Sequence, residues 1–149
     1  MALYQVAITS IAALTAAPYT QFRAHASRVA RIREIRISNQ GSTLSAVGIA
    51  KQLAANLGTA SGTALGLALS NDGDPAAGGG LDTGWSAAPS AVPASFLEKD
   101  TINNVPGNGL VWSWSADAPL IIPAAAGLIF WNWGAGTGNA LSVRIKFDE

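Results

Sequence analysis

LIFWNWGAGTGNALSVRIKF, residues 128–147, contains two apolar runs separated by a glycine-rich segment. The second run, residues 141–147, alternates apolar and polar side chains, which is the period-two pattern of a strand with one buried and one solvated face. The first run, residues 128–133, has large apolar side chains on both faces and is interrupted only by Asn132. The stretch therefore predicts two strands joined by a hairpin turn, and the first strand needs a cover on its second face.

Two kinds of cover are open for that second face. One is a neighbouring subunit. The other is internal, with either the proline-containing stretch 86–96 or residues 1–20 folded over the outside of the sheet. Charged residues make up 12% of the chain, against about 25% in a typical soluble domain. A surface with so little charge favours contact with another protein, so the sequence predicts an oligomer.

The rest of the chain has the pattern of short strands separated by turn signals. Residues 28–38 alternate like a strand, and Ile32 is out of phase with the isoleucines that follow it, which predicts a bulge. Residues 42–59 fit either a helix or a strand, and we expect a strand to about Ala50 followed by a loop or short helical turns. About seven or eight short strands without a long amphipathic helix predict an antiparallel sandwich or barrel.

Other segments complete this outline. Residues 63–70 and 110–115 predict further strands. Residues 71–84 contain five glycines, one proline and three aspartates, a composition that predicts a long surface loop. Residues 98–109 contain proline-glycine and asparagine-glycine steps and predict turns. Residues 119–127 predict a short extended link.

The N-terminal residues leave several interpretations open. Residues 1–20 are apolar and fit an arm that reaches a neighbouring molecule, an edge strand, or the first strand of the domain itself. We divide the chain into residues 1–27, an N-terminal arm or edge strand, and residues 28–149, the β-sandwich. No lysine or arginine precedes Arg23, which argues against a signal peptide, and no apolar run is long enough for a membrane span. We expect a soluble protein without a membrane partner.

Charge is distributed unevenly although the formal net charge is zero. Up to residue 70, six lysines and arginines oppose one glutamate, whereas beyond it three oppose eight acidic residues. This asymmetry is compatible with contacts between copies of the chain or with docking on a charged scaffold. It is equally compatible with an ordinary solvated strand face.

The residues that most enzymes use are scarce. The chain has no cysteine, which excludes disulfides, thiolate nucleophiles and zinc sites built on cysteine. His25 is the single histidine, and no GxSxG motif is present to supply an activated serine. The glycines within residues 134–138 are followed by a strand, whereas a nucleotide-binding loop is followed by a helix. The sequence predicts a protein that is not an enzyme and needs no cofactor.

Three aspartates are weak candidates for a calcium site, which takes oxygen ligands from glycine-rich loops. They are Asp72, Asp74 and Asp82. Counted from Asp72, the twelfth position is Thr83, where an EF-hand needs a bidentate glutamate. We therefore expect a solvated loop and no bound metal.

The tryptophans form two closely spaced pairs, Trp112 with Trp114 and Trp131 with Trp133. Each pair projects from one face of its strand. Such a pair could stack on sugar rings or bases, or it could fill a sandwich core or a subunit interface. We favour core or interface for these four residues and for Phe130. Basic residues do not interleave with the aromatic ones, so no nucleic-acid partner is predicted.

Six phrases follow one another along the chain: VARIREIRISNQGST, AVGIAK, TALGLAL, TGWSAAPS, NNVPGNGLVWSWSADAPLIIPAAAGLIFWN and VRIKFDE. In this order they resemble the small jelly-roll structural proteins of tailed bacteriophages, which include capsid decoration (cement) proteins and other minor virion proteins. The similarity covers about residues 30–149.

The resemblance implies an all-β antiparallel jelly-roll sandwich of about eight short strands, without catalysis and assembled as a homotrimer. It implies a virion protein of the capsid surface, assembled in the host cytoplasm. The partner would be the major capsid protein of a phage, and binding would stabilise the assembled head. The candidates for the capsid contact are Arg28, Arg31, Arg33 and Arg36.

The alternative function is a carbohydrate-binding or receptor-binding β-sandwich module of a phage tail. Such a module would use exposed aromatic rings, for which Trp85 and Trp112 are the candidates, or the loop of residues 71–84.

Overall fold

The computed structural model describes residues 2–69 and 77–149. That part of the chain contains twelve strands and one 3₁₀ turn. The strands are β1 Leu3–Thr9, β2 Pro18–Arg23, β3 Ala30–Asn39, β4 Ser45–Gln52, β5 Thr59–Leu65, β6 Leu67–Ala68, β7 Gly80–Ala87, β8 Glu98–Ile102, β9 Gly109–Ser113, β10 Leu120–Ile122, β11 Gly127–Trp131 and β12 Leu141–Asp148. The 3₁₀ turn, Ala54–Asn56, follows β4. The prediction of a strand followed by a short helical turn is confirmed.

The strands form two antiparallel sheets. The first sheet has the order β10–β3–β12–β1–β6, and β9 also pairs with β3. The second sheet has the order β5–β7–β2–β11–β4–β8. Buried apolar side chains from both sheets form one large cluster between them. The predicted all-β antiparallel sandwich is confirmed.

Strand pairing follows a nested pattern along the chain. β1 pairs with β12, β2 with β11, β3 with β9 and β10, and β4 with β8. A nested ribbon of this kind, rolled so that alternate pairs fall in opposite sheets, is a jelly roll. β5, β6 and β7 lie between β4 and β8 in the chain and extend the two sheets beyond β2 and β1. These additions, and the division of one position between β9 and β10, explain why twelve strands occur where about eight were expected.

The two strands of residues 128–147 form, but they do not pair with each other. β11 lies in the second sheet between β2 and β4, and β12 lies in the first sheet between β1 and β3. The hairpin prediction is wrong, because residues 132–140 cross from one sheet to the other. Asn132 anchors this crossing, since its buried side-chain amide donates hydrogen bonds to the carbonyl oxygens of Ala13 and Leu14 in the loop between β1 and β2.

The predicted bulge in β3 is confirmed. Ile32 pairs with Phe147 whereas Glu34 pairs with Lys146, so Arg33 is the extra residue. An extra residue on one strand shifts the phase of the alternation. This shift keeps all three isoleucines of β3 on the buried face.

β11 is buried on both faces along its whole length. Its inner side chains, Leu128 and Phe130, belong to the main core. Its outer side chains, Ile129 and Trp131, form a second, smaller cluster against which Phe96 packs. Phe96 ends the proline-containing stretch that was one of the possible internal covers. No second subunit is therefore needed to bury Trp131.

Two segments of the chain make this outer cover. Phe96 sits directly over Gly48 of β4, where an added Cβ would come within 2.5 Å of the phenyl ring. The second segment is residues 53–58. The buried side-chain amide of Gln21 donates to the carbonyl oxygen of Gly58 at 3.0 Å, and its oxygen accepts from the Gly58 amide at 3.0 Å. The centre of the second sheet, around β11, is thus covered outside by its own chain, whereas the outward side chains of β3 and β12 in the first sheet are partly or fully exposed, apart from Asp148.

The N-terminal segment is part of the sandwich. Residues 3–23 contain β1 and β2, and each of these strands has a neighbour on both sides. Tyr4 of β1 and Phe22 of β2 belong to the main core. The division into an arm or edge strand, residues 1–27, and a sandwich, residues 28–149, is therefore corrected, because both parts bury side chains in one core.

The other strand predictions need further corrections. The single strand predicted over residues 63–70 is divided at Gly66, so that β5 joins the second sheet and β6 the first. Gly66 is buried where an added Cβ would come within 2.8 Å of the Phe147 ring. The sequence predicts a loop over residues 71–84, turns over residues 98–109 and an extended link over residues 119–127. These segments contain, in the same order, the start of β7, the whole of β8 and the whole of β10. β8 and β10 end their sheets, and their pairing partners rather than their own sequence pattern make them strands.

The cover over β11 leads to a first prediction. Phe96→Ala removes the ring that packs against the cluster of Ala50, Ile129 and Trp131 and should lower the free energy of unfolding by about 1–3 kcal/mol. Val92→Ala is the matched control, because Val92 lies in the same segment with an exposed side chain, and it should change stability by less than about 0.5 kcal/mol. Urea unfolding followed by tryptophan fluorescence measures both variants. Equal losses would contradict the cover.

Tyr19 makes the stability of the core depend on pH. Its side chain is 1% exposed, and its hydroxyl donates to the carbonyl oxygen of Ala46 at 3.1 Å. Burial raises the pKa of Tyr19 to about 12 from 10.0, because the phenolate is poorly solvated there, and a hydrogen bond with Ser45 offsets part of this rise. The folded state therefore favours the neutral phenol. Its contribution to stability is complete below pH 10.0 and is lost as the pH rises to about 12.

The second prediction follows from this linkage. Between about pH 10 and 12 the wild-type protein should lose about 2–3 kcal/mol more stability than Tyr19→Phe. At neutral pH the same substitution should cost about 1 kcal/mol, because the hydrogen bond to the Ala46 carbonyl is lost. Urea unfolding at a series of alkaline pH values measures both quantities. Parallel stability curves for the two proteins would show that Tyr19 does not titrate with unfolding.

Candidate functional site

The open outer face of the first sheet carries five of the nine lysine and arginine residues. β3 and β12 are neighbours, and both place apolar residues inside and polar residues outside. Their outward side chains include Arg31, Arg33, Glu34 and Arg36 from β3 and Arg144, Lys146 and Asp148 from β12. Five cationic side chains thus oppose two carboxylates. We call this surface, made by these seven residues, the basic face.

The two carboxylates are paired within the basic face. Arg33, the bulge residue, forms a salt bridge with Asp148, and both side chains are mostly buried. The Glu34 carboxylate lies 3.5 Å from the Lys146 ammonium and 3.9 Å from the Arg36 guanidinium. The distance from Glu34 to Arg36 is near the limit of an ion pair, so the Glu34 carboxylate neutralises Arg36 only weakly.

Arg36 and Arg144 lie directly opposite each other on β3 and β12. Like charges at such a cross-strand position are destabilising. The two arginines, with Ser38, Ser142 and Ala7, line a shallow cavity of about 350 Å³. The Nε of Arg144 is buried and has no hydrogen-bond partner. Guanidinium groups around a concave surface are chemically suited to an anion. We call this feature the arginine pocket.

The structure places three of the four capsid-contact candidates on the basic face, namely Arg31, Arg33 and Arg36. Arg28 lies in the turn before β3, where its guanidinium is 3.7 Å from the Glu149 carboxylate. Arg144 and Lys146 were not among the predicted contacts. The alternation of β12 indicated that they point outward, but only the pairing of β12 with β3 places them beside the predicted arginines.

Four of the five aromatic candidates lie against the chain itself. Phe130 and Trp131 are buried on opposite faces of β11. Trp112 and Trp114 are partly buried and pack against the main core. Phe130 and Trp131 therefore present no ring face for stacking on a sugar, and the rings of Trp112 and Trp114 are partly occupied by the core.

Trp133 is the most exposed of the five aromatic candidates, at 37%. The Lys99 ammonium lies 4.1 Å from the centroid of its ring, a cation–π distance. The indole nitrogen donates to the carbonyl oxygen of Asp100 at 3.3 Å. These contacts fix Trp133 against β8.

Asp82 is buried on β7 and is fully engaged by donors of the chain. Its Oδ2 accepts hydrogen bonds from Gln21 at 2.6 Å and from Arg23 at 2.7 Å, and its Oδ1 accepts one from Thr63 at 2.6 Å. These contacts join β2, β5 and β7. The carboxylate therefore stabilises the second sheet and has both oxygens occupied.

The other calcium candidates, Asp72 and Asp74, lie outside the described residues. Within residues 2–69 and 77–149, no three histidine, aspartate or glutamate side chains group as metal ligands do. His25 contacts Ser27, with 3.0 Å between Nδ1 and the hydroxyl oxygen. The part of the chain that the structure describes also contains no helix long and apolar enough to cross a membrane.

No protein-family model, no curated protein and no solved structure matches this chain. The fold and the surface instead define a class: an all-β jelly-roll sandwich in which the chain covers the centre of one sheet and the other sheet carries a basic face.

The third prediction compares two arginines of the basic face. Arg33→Gln leaves the mostly buried Asp148 carboxylate without its charged partner and should lower the free energy of unfolding by about 1–3 kcal/mol. Arg144→Gln removes one of two opposed like charges, so it should leave stability unchanged or raise it by up to about 0.5 kcal/mol. Both variants lose one positive charge, which makes each the control for the other. Equal losses in urea unfolding would contradict the assigned contacts.

Proposed function

We propose that this protein is a non-enzymatic structural protein of a phage virion. It is a capsid decoration or cement protein that binds the assembled head as a homotrimer and stabilises it. The phage assignment is supported by the resemblance of six phrases of the sequence to small jelly-roll virion proteins. The proposed association of subunits is supported by a row of exposed leucines at one edge of the sandwich.

This row is formed by Leu65, Leu67 and Leu69, which are 48%, 71% and 48% exposed. They alternate where the chain leaves β5, the last strand of the second sheet, and enters β6, the last strand of the first. The unpaired backbone groups of an edge strand can pair with another chain, and exposed apolar side chains on such a strand favour this contact. An apolar row on a chain with so few charges supports a contact between subunits. We call these three residues the leucine edge.

The basic face is available for a different partner. In the first sheet β6 is separated from β12 by β1, so the leucine edge and the basic face occupy different parts of the surface. Subunits joined at the leucine edge would keep the basic face free for the major capsid protein. Binding restricted to the assembled shell would shift its equilibrium toward assembly. The protein would thus be located on the virion surface after assembly in the host cytoplasm.

The fourth prediction concerns the oligomer. Light scattering over a wide concentration range should give three times the 15.2 kDa chain mass. Leu67→Glu should reduce the mass to that of one chain, because a carboxylate buried in the interface would lack a partner. Leu14→Glu is the matched control, since Leu14 is 68% exposed in the loop between β1 and β2, and this variant should stay trimeric. A wild-type protein that is monomeric at every concentration would overturn the oligomer.

Cosedimentation with heads assembled from the major capsid protein tests the capsid function directly. Wild-type protein should sediment with the heads, and decorated heads should disassemble at a higher temperature than bare heads. If the wild-type trimer stays in the supernatant, the capsid function is wrong although the oligomer stands.

A further inference from the structure

Residues that pair with one another across neighbouring strands form a row, which we call a level. The arginine pocket lies at the one level of the basic face that has no acidic residue. Pairing across four strands places Ala7, Arg144, Arg36 and Val111 side by side. At the preceding level Lys146 and the Glu34 carboxylate compensate each other. The two opposed arginines therefore lack a carboxylate from their own row.

The neighbouring level supplies hydrogen-bond donors and space. Ser38 and Ser142 pair there, between Thr9 of β1 and Gly109 of β9. Hydroxyl groups can donate to an anion held by the guanidinium groups. The small side chains of serine and glycine leave room above the sheet. The two serines and the buried, unpartnered Nε of Arg144 give the pocket several hydrogen-bond donors. None of the residues that line it is negatively charged.

A second shallow cavity, of about 320 Å³, adjoins the arginine pocket. It shares Arg36 and Ser38 with the pocket and is otherwise lined mainly by glycine and apolar residues of the β9 region, including Val111, which is 49% exposed. An anionic group in the arginine pocket would thus have an apolar surface beside it. This combination fits a peptide segment in which an acidic residue lies near an apolar one.

A nucleic acid fits this surface less well. The carboxylates of Glu34 and Asp148 interrupt the positive charge along β3 and β12, so they would repel a continuous phosphate backbone. The arginine pocket also has no aromatic ring on which a base could stack. A single carboxylate meets neither difficulty, and its planar geometry matches the guanidinium group.

We propose that the arginine pocket binds the carboxylate of a glutamate or aspartate in an acidic peptide segment of a protein partner. This inference rests on the proposed function in one respect, because the segment would belong to the major capsid protein. Arg36 and Arg144 would hold the carboxylate from two sides, and Val111 would contact the neighbouring apolar residue. The partner thereby relieves the repulsion between the two arginines.

The test uses a short fluorescently labelled peptide in which a leucine follows a glutamate two residues later. Fluorescence anisotropy measures its binding to the full-length protein at physiological ionic strength. The double variant Arg36→Gln/Arg144→Gln should bind at least about tenfold more weakly, which corresponds to about 1.4 kcal/mol. The charge-matched control Lys51→Gln/Lys99→Gln should change affinity less than about twofold, because both residues lie on the second sheet, outside the pocket. Urea unfolding should show that the first double variant remains as stable as the wild-type protein.

Four results would overturn the proposal. They are equal losses in the two double variants, unchanged binding in Arg36→Gln/Arg144→Gln, equal binding of a peptide with glutamine in place of glutamate, and no measurable binding at all. A competition with inorganic phosphate separates a peptide site from a site for a small free anion. Phosphate that displaces the peptide at equal concentration would also contradict the proposal.

Cosedimentation with heads separates this inference from the capsid function. Loss of head binding in Arg36→Gln/Arg144→Gln, with head binding retained in the control, supports both. If this variant loses the peptide but still binds heads, the assignment of the segment to the capsid protein is wrong while the capsid function stands. If the wild-type protein binds the peptide but not the heads, the capsid function is wrong and the pocket itself stands.

Discussion

Burial of β11 on both faces is the constraint on which the rest of the structure depends. A strand whose five residues are all buried needs a layer on each side, and a two-layer sandwich supplies only one. The chain provides the second layer from residues 53–58 and from the stretch that ends at Phe96. Gly48 leaves space for the Phe96 ring, and Gln21 holds the other segment through Gly58. The second sheet therefore has little open surface near its centre, and the first sheet offers the broad face that remains.

Local patterns predicted the structure wherever a strand's own side chains determine its orientation. The alternation of residues 141–147 gave the buried and exposed sides of β12, and the phase of Ile32 gave the bulge in β3. The crossing between β11 and β12 could not be predicted in this way. A glycine-rich segment is compatible with a hairpin and with a crossing, and the difference is made by contacts of Asn132 with Ala13 and Leu14, which are distant in sequence.

The same distinction applies to the candidate site. The arginines of β3 were recognised because they follow one another within a single segment. The pocket needs Arg144, which becomes their neighbour only through the pairing of β12 with β3. Similarly, the burial of Trp131 could be expected from its apolar run, but its partner Phe96 lies in an irregular stretch with no periodic pattern. Single side chains are thus easier to identify from the sequence than the partners that determine their roles.

Positive and negative charges are concentrated on different parts of the surface, although the net charge of the protein is zero. Nine basic and nine acidic residues balance, yet the basic face concentrates arginine and lysine while Glu98 and Asp100 lie exposed on β8, at the far edge of the other sheet. A neutral protein gains little long-range attraction to a charged partner. Within a Debye length of about 8 Å, however, a negative surface would attract the basic face and repel the β8 edge. Such a charge distribution selects the orientation of docking more than its rate, because it favours approach by one particular face of the molecule.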